Sequence, residues 1–283
     1  DDKEFFPPYL AAPLVRADVD AGVAALLNQL GGKLSNNSMR RLNARVAVDG
    51  VNFATAAGEF LRAAGLLRSD EAGAGASPWL TLLLQTVTHI KLTLIALIAA
   101  MAVAIPAGVL IYRLKRIARP VTYVAGLLQT IPSIALLAFM IPFFGIGVKP
   151  AIIALALYAL LPILRNTATA LFSIDPLLKR VAIGMGMTTW QRLRHIEIPL
   201  ATPTILAGIK TAAVINIGTA TLAAFIGAGG LGEPIVTGLA LNDSSIILRG
   251  AIPAALLAVV TEFAFEIIER RLLPKHLLQR AAE

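Results

Sequence analysis

The chain has 283 residues, of which 57% are hydrophobic and 15% charged, and its mean hydropathy is +0.76. This composition excludes an ordinary soluble globular protein and predicts several membrane spans. The net charge of +8 does not require a nucleic-acid partner, because membrane proteins carry basic cytoplasmic loops, and the lack of cysteine excludes disulfides and thiolate metal sites.

The first 66 residues predict a small segment of mixed structure. Consecutive prolines at Pro7 and Pro8 exclude a helix at the start, because they force an extended path. Residues 11–15 could form a short strand. Ser35 is a suitable N-cap for a helix. Helices are expected at about 21–30, 35–46 and 53–67.

This segment resembles the C-terminal end of binding proteins for glycine betaine, choline and related osmoprotectants. The matching stretches are residues 1–16, 26–46 and 59–66. In that family an aromatic cage holds the quaternary ammonium ligand by cation–π attraction. The resemblance makes Tyr9 a candidate cage wall, although a plain packing role is the alternative. Because 66 residues are too few for two lobes, we expect the tail of a binding domain fused to a permease.

A linker rich in Gly, Ala, Ser and Pro follows at residues 67–78, and residues 79–283 form the predicted membrane domain. Five apolar runs are close to the length that crosses a bilayer. The third is short unless it continues past Arg165. The runs are Ile90–Tyr112, Val121–Phe143, Pro150–Leu164, Ile205–Ile226 and Ile246–Ile268.

The basic residues between the runs are distributed very unevenly. The loops after spans 1 and 3 and the C-terminal tail carry 13 Lys and Arg, whereas the other two loops carry 2. Positive charge favours the cytoplasmic side. Five spans then place the N-terminus outside and the C-terminus in the cytoplasm.

The loop at residues 178–199, called the coupling segment below, has helical periodicity in its apolar residues, and Pro199 is expected to end it before span 4. It resembles the cytoplasmic loop of ABC-importer permeases, whose pattern is E-A-A, three residues, G, nine residues, I-x-L-P. The Gly, the first Ile, the Pro and both spacings are present. The start departs from the pattern, because Arg180 and Val181 replace Glu and Ala. The matching positions are Arg180, Val181, Ala182, Gly186, Ile196, Ile198 and Pro199.

In the family this loop forms a short helix that docks into a groove of the ATPase subunit. The resemblance therefore implies that the coupling segment transmits movement of a partner ATPase, by helix-in-groove recognition. The alternative is an ordinary amphipathic loop helix of a membrane protein.

Three stretches of the membrane domain also resemble the osmoprotectant permease family, namely residues 129–147, 157–171 and 215–235. Pro132 and Pro142 should kink or break span 2. The polar residues of span 4 could bond across helices or line a route for a polar solute. The candidate pathway residues are Asn216, Thr219 and Thr221.

Two further features of the membrane domain have plain explanations. The glycine-rich run 227–232 lacks the preceding strand and following Lys of a phosphate loop, so we expect an outer turn with close backbone packing. Glu262 and Glu266 in span 5 are expected to lie near the inner end and pair with tail arginines, with a proton relay as the alternative.

Catalytic patterns are absent from the sequence, and its three histidines are isolated. The predicted fold is an all-α polytopic membrane protein of the ABC type I importer permease kind, with about five transmembrane helices and a small extracytoplasmic α/β segment at the N-terminus. The expected function is an importer permease for glycine betaine, choline or carnitine in a bacterial cell membrane.

The resemblance implies several partners. Two permease copies, or one copy and a paralogue, would assemble with two ATPase subunits, and a separate substrate-binding protein could deliver the solute. The chain itself is expected to bind no cofactor and no metal, with ATP-Mg held by the ATPase. Alternatives are a non-transporting osmosensor or scaffold, and a permease for another solute such as an amino acid.

Overall fold

The computed structural model describes residues 15, 19–49, 51, 53–67 and 78–272. The chain divides into two compact units, residues 1–76 and 77–283. Every regular element among the described residues is helical, and none of them forms a strand. Tyr9, nearly all of the strand expected at residues 11–15 and most of the linker lie outside the described residues.

The N-terminal unit contains three helices, α1 (Ala21–Asn28), α2 (Asn36–Ala47) and α3 (Phe53–Ala63). The predicted N-cap of α2 is confirmed, because the Ser35 hydroxyl accepts a hydrogen bond from the backbone N–H of Ser38 at 3.2 Å. An ion pair between Arg45 and Glu59 joins α2 to α3. α3 ends earlier than expected, where Gly65 adopts a positive φ of 69° and closes the helix end.

The membrane unit is built from nine helices in its described part, residues 78–272. The helices are α4 (Pro78–Arg113), α5 (Lys115–Thr130), α6 (Ser133–Phe144), α7 (Val148–Ser173), α8 (Pro176–Gly184), α9 (Thr189–Arg192), α10 (Ile198–Ala220), α11 (Gly232–Leu241) and α12 (Ser244–Leu272). A π-helical turn at Leu193–Glu197 joins α9 to α10, and a 3₁₀ segment at Thr221–Ile226 follows α10.

Within the described residues, four stretches are long and apolar enough to cross a membrane, or five if one bent pair counts as a span. That pair is α5 and α6, which meet at an angle of 100°. The predicted break of span 2 at Pro132 is therefore confirmed. Pro142 lies inside α6 and does not interrupt it.

Three other boundaries differ from the predictions. α4 begins at Pro78 rather than at Ile90, and α7 continues past Arg165 to Ser173. Pro199 does not end the coupling segment, since it lies in the first turn of α10. The π-helical turn explains the difference. The N–H of Ile198 donates to the Leu193 carbonyl five residues back, so the chain is already helical when it reaches α10. Pro199 then lies in the first turn of α10, where a proline is tolerated.

The centre of the membrane unit is α7, which packs between α4 and α10. Glycines let these helices approach closely, as is typical of membrane helix interfaces. A Cβ added to Gly108 of α4 would lie 2.6 Å from Thr167 on α7, and one added to Gly208 of α10 would lie 2.6 Å from Asn166. The core is thus a tightly packed three-helix unit that can hold both ends of the bundle in fixed positions.

Candidate functional site

The coupling segment folds as two short helices separated by a tight turn. Asp175 caps α8, accepting a hydrogen bond from the Leu177 N–H at 2.7 Å, and α9 begins with a capping box between Thr188 and Gln191. Gly186 forms the turn with φ of +75°, a conformation that side chains other than Gly rarely adopt. No atom lies within 4 Å of a Cβ built on Gly186, so the turn faces open space.

Large apolar side chains cover the outer surface of these two helices. Met185 is 71% exposed and Trp190 67% exposed. Exposed apolar residues close together on a segment outside the spans are typical of a protein interaction site. The other exposed apolar residues of the segment and its start are Leu177, Leu178, Val181, Ile183 and Ile198.

The residues of the predicted motif do not all face the same way. Arg180, Val181 and Gly186 are exposed, whereas Ala182 is on the buried side of α8. Two more lie at the other end of the segment, with Ile196 half-buried in the π-helical turn and Pro199 exposed in α10. Ala182 therefore packs the segment against its own fold, and a direct contact with a partner is open to the exposed positions.

Beneath the coupling segment lies a polar cluster around the fully buried carboxylate of Glu197. Its Oε1 accepts hydrogen bonds from Arg192 Nε at 2.8 Å and from the Tyr112 hydroxyl at 2.9 Å. Arg113 Nη2 lies 3.5 Å from Oε2, an ion pair without hydrogen-bond geometry. A buried carboxylate is stable only when it is paired in this way.

Two cations extend the polar cluster to neighbouring elements. Arg113 Nη2 donates to the Thr189 carbonyl at 2.9 Å, and Lys179 Nζ donates to the Leu171 carbonyl at 3.0 Å. The Lys179 ammonium also lies 5.0 Å from the centre of the Tyr112 ring. Burial lowers the pKa of Lys179, an effect opposed by the attraction of Glu197. The polar cluster therefore consists of Tyr112, Arg113, Lys179, Arg192 and Glu197.

These contacts connect the coupling segment to three long helices. Tyr112 and Arg113 belong to the end of α4, Leu171 to the end of α7, and Glu197 leads directly into α10. Sequence reasoning did not select this cluster. The signal available was a single Glu among five basic residues in the coupling segment, because an acidic side chain in such a setting has several possible partners.

The candidate pathway residues lie at the C-terminal end of α10 and the start of the 3₁₀ segment but differ in environment. Asn216 is fully buried, and neither side-chain nitrogen nor oxygen has a hydrogen-bond partner. Thr219 and Thr221 are half-buried, and their hydroxyls donate to the carbonyls of Ile215 and Gly218 within the same stretch, at 2.8 and 2.7 Å. The threonine hydroxyls thus have hydrogen-bond partners within their own helical stretch, and their role in a pathway stays a prediction.

At the same end of the bundle, His89 of α4 holds the glycine-rich turn 227–232. The buried imidazole shares a 3.0 Å hydrogen bond with the Ile217 carbonyl through Nε2, and its Nδ1 accepts from the Leu231 N–H at 3.3 Å. A Cβ on Gly230 would lie 3.2 Å from Nδ1. The expected close backbone packing of this turn is therefore present, and His89 was not anticipated as its partner.

The expected pairing of the span 5 carboxylates is wrong for Glu262. Its Oε1 lies 3.0 Å from Lys210 Nζ of α10, so the partner is a lysine of a neighbouring span rather than an arginine of the tail. Charged groups within a bilayer are costly unless paired, and Lys210 and Glu262 neutralise one another there.

The described residues contain no group of three or more His, Asp or Glu that could hold a metal ion. Nothing in the arrangement of the coupling segment and polar cluster resembles a reactive constellation. What the arrangement can do is present an apolar surface to a partner and connect it rigidly to the spans.

Comparisons with known proteins match both units. Residues 100–274 match the family described as the binding-protein-dependent transport system inner membrane component. Residues 1–63 match the substrate-binding domain of the ABC-type glycine betaine transport system.

Several relatives match about two thirds of the chain. A carnitine transport permease protein of Listeria monocytogenes is 51% identical over 69% of this chain and 89% of its own length. A glycine betaine/carnitine/choline transport system permease protein of Bacillus subtilis is 45% identical over 69% of this chain and 90% of its own length. An osmoprotectant import permease protein of Salmonella typhimurium is 48% identical over 67% of this chain and 91% of its own length.

A solved structure has the same fold. It is an inward-facing conformation of the MetNI methionine ABC transporter, which superposes with a TM-score of 0.64 at 24% identity and covers 71% of this chain and 100% of its own. The predicted helical importer-permease fold is therefore confirmed.

Proposed function

The chain belongs to the family of inner membrane components of binding-protein-dependent transport systems, and we propose that it is the permease subunit of an ATP-driven importer of quaternary ammonium osmoprotectants. The solute class comes from the relatives, whose names specify carnitine, glycine betaine and choline. The observation that carries the coupling mechanism is the exposed apolar surface of the coupling segment on a base fixed to α4, α7 and α10.

Coupling follows from this geometry. A partner ATPase binds the exposed side chains of α8 and α9, among which Trp190 is the largest. When the ATPase subunits close on ATP-Mg, the coupling segment moves with its groove. Because Glu197 pairs with Arg192 on one side and Tyr112 on the other, the movement reaches α4 and α10 together. The permease chain supplies no catalytic group, and ATP hydrolysis belongs to the partner.

The assembly contains a second permease, either another copy or a paralogue, and two ATPase subunits. In a bacterial cell membrane the coupling segment and C-terminus face the cytoplasm, as the distribution of basic residues favours. The N-terminal unit then lies outside, where a segment resembling a glycine betaine binding domain can meet its solute or a separate binding protein.

The test is ATP-dependent uptake of labelled glycine betaine, carnitine and choline into proteoliposomes. The vesicles contain the full chain with its cognate ATPase, and a full-length binding protein is added or omitted. We expect uptake that requires ATP, because the ATPase moves the coupling segment. Uptake without the added binding protein would indicate that the N-terminal unit or the permease captures solute itself.

Two results would contradict the proposal in different ways. A stable, ATP-hydrolysing complex that imports none of the three solutes would favour a non-transporting osmosensor, which the altered start of the motif at Arg180 and Val181 also motivates. Uptake of an amino acid in their place would favour a permease for another solute.

A further inference from the structure

A cavity of about 900 Å³ opens between α5 and α7. It is large enough for a small solute, and most of its exposed lining is apolar. Arg119 and Arg165 contribute two guanidinium groups and Tyr123 contributes a phenol ring. The other lining residues are Ala118, Pro120, Thr122, Gly126, Leu127 and Thr130.

Neither arginine has an ion-pair or hydrogen-bond partner among the described residues. Arg165 stands out because it is exposed on α7, a helix whose neighbouring positions Leu164 and Thr167 are buried. A cation within a spanning helix is costly in lipid and normally faces a water-filled cavity or an anion. Two unpaired guanidiniums at one cavity therefore call for a negatively charged group.

The Arg165 guanidinium of α7 lies close to α5. A Cβ built on Gly126 would be 3.9 Å from Arg165 Nη2, an ordinary contact distance. Tyr123, one turn earlier, is 68% exposed and presents its ring at the same cavity. The cavity thus combines an anion-binding end with an aromatic surface.

We propose that this cavity binds the transported solute during passage, with Arg119 and Arg165 holding a carboxylate and the Tyr123 ring contacting a quaternary ammonium group. The proposal rests on the proposed function. Guanidinium groups suit carboxylates because their N–H groups match both oxygens, and trimethylammonium groups pack against aromatic faces. The preferred ligands of the cavity are therefore the zwitterions glycine betaine and carnitine.

Choline distinguishes this site from a general pathway for cations. It has the same quaternary ammonium group but a hydroxyl in place of the carboxylate, so it gains nothing from the arginines and is repelled by their charge. The solute's carboxylate also has a competitor of similar chemistry, the phosphate of an anionic lipid headgroup, and the experiment must separate the two.

The experiment measures KM and maximal uptake of the three solutes by the full complex in proteoliposomes. The variants are Arg119→Gln, Arg165→Gln and the double variant, with Arg116→Gln as the matched control because Arg116 is on α5 but does not line the cavity. We expect the double variant to raise KM for glycine betaine and carnitine about tenfold or more, since a charge-assisted hydrogen bond is lost. Choline uptake is expected to hold or to increase.

Variants of Tyr123 test the aromatic end independently. Tyr123→Ala should weaken uptake of all three solutes, and Tyr123→Phe should retain it, because the ring and not the hydroxyl contacts the ammonium group. Unchanged uptake of all three solutes by the Tyr123→Ala variant would contradict the role proposed for the aromatic ring.

Other outcomes overturn the inference separately from the proposed function. An equal loss of all three solutes in the arginine variants, together with wild-type uptake that depends on anionic lipid, would assign the arginines to a lipid headgroup. Normal kinetics in the double variant would exclude the cavity from the solute's route. A wild-type complex that carries none of the three solutes would reject the proposed function itself, and this inference with it.

Discussion

Among single residues, Glu197 has the most demanding environment in the membrane unit. Its side chain is fully buried, and two arginines and a tyrosine hydroxyl surround it. The net value of such a pair is small when both charges are present, because desolvation offsets attraction. Its main effect is to fix geometry: the carboxylate fits one arrangement of Tyr112, Arg113 and Arg192, and that arrangement sets how the coupling segment meets α4.

Replacing Glu197 by Gln should therefore destabilise the membrane unit strongly. The variant leaves Arg192, which is 17% exposed, and Arg113 without a counter-charge. Breaking a buried pair in this way costs about 3–5 kcal/mol, which corresponds to a melting temperature lower by roughly 10 °C for a unit of this size. Thermal unfolding of the detergent-purified chain measures it.

Glu269→Gln is the matched control, because this half-buried carboxylate of α12 has no ion pair with any described residue. We expect its melting temperature to stay within about 2 °C of the wild type. Equal shifts in the two variants would mean that the polar cluster does not anchor the coupling segment.

Residue-level features were predictable where one residue type has one structural consequence. Ser35 could be assigned as an N-cap because its hydroxyl needs only a local backbone N–H, and Pro132 marked the break in span 2 because proline cannot continue a straight helix. The contacts of Glu197 with Tyr112 and of His89 with Ile217 could not be assigned, since they join residues 85 and 128 positions apart in sequence. Long-range pairing of polar groups leaves no local pattern.

Among the elements, the coupling segment departs most from its sequence-based description. It was expected as one helix ended by Pro199, but it forms α8, a turn at Gly186, and α9, which runs through the π-helical turn into α10. Periodicity located its apolar face and could not locate the turn, because Gly186 is as compatible with a helix surface as with a positive φ. The continuity with α10 matters for function, since a push on α9 acts directly along a spanning helix.

Trp190 should dominate binding of the ATPase to this element. It is 67% exposed on α9, and large aromatic residues at the centre of an interface often account for most of its affinity. We expect Trp190→Ala to weaken ATPase binding at least tenfold, equivalent to about 1.4 kcal/mol or more. Co-purification and a binding titration of the detergent-solubilised permease with its cognate ATPase measure the effect.

The chain provides its own control for this substitution. Trp79 of α4 is 79% exposed, and the sequence has only these two tryptophans. Trp79→Ala removes the same side chain at the opposite end of α4 from Tyr112 and the coupling segment, so ATPase binding should be unaffected. Similar losses in both variants would indicate a general defect, and undiminished binding in Trp190→Ala would remove α9 from the interface.

At the scale of the whole membrane unit, two polar features lie towards opposite ends of α4. The polar cluster lies at one end of α4, and His89 with the turn 227–232 lies towards the other. The overall helical class and the approximate positions of the spans followed from hydropathy, because backbone groups in lipid must be satisfied within helices. The 100° bend between α5 and α6 did not, since it depends on how these helices pack against α7.

The orientation of the chain in the membrane is the remaining whole-molecule property, and the distribution of 13 basic residues on one side against 2 on the other predicts it. These 283 residues contain no cysteine, so a single cysteine introduced into this chain reports its location without background. Three exposed positions suit this purpose: Arg41 in α2, Arg194 beside the polar cluster, and Ser244 at the start of α12.

Labelling of intact cells with a membrane-impermeant maleimide should modify Arg41→Cys and Ser244→Cys, and should spare Arg194→Cys until the membrane is permeabilised. The physical reason is that moving the basic loops across the bilayer is unfavourable, whereas the acidic N-terminal residues and the short loop before α12 cross readily. Labelling of Arg194→Cys in intact cells, with protection of Ser244→Cys, would invert the topology. The exposed surface of α8 and α9 would then face away from any cytoplasmic ATPase, and the coupling mechanism proposed here could not operate.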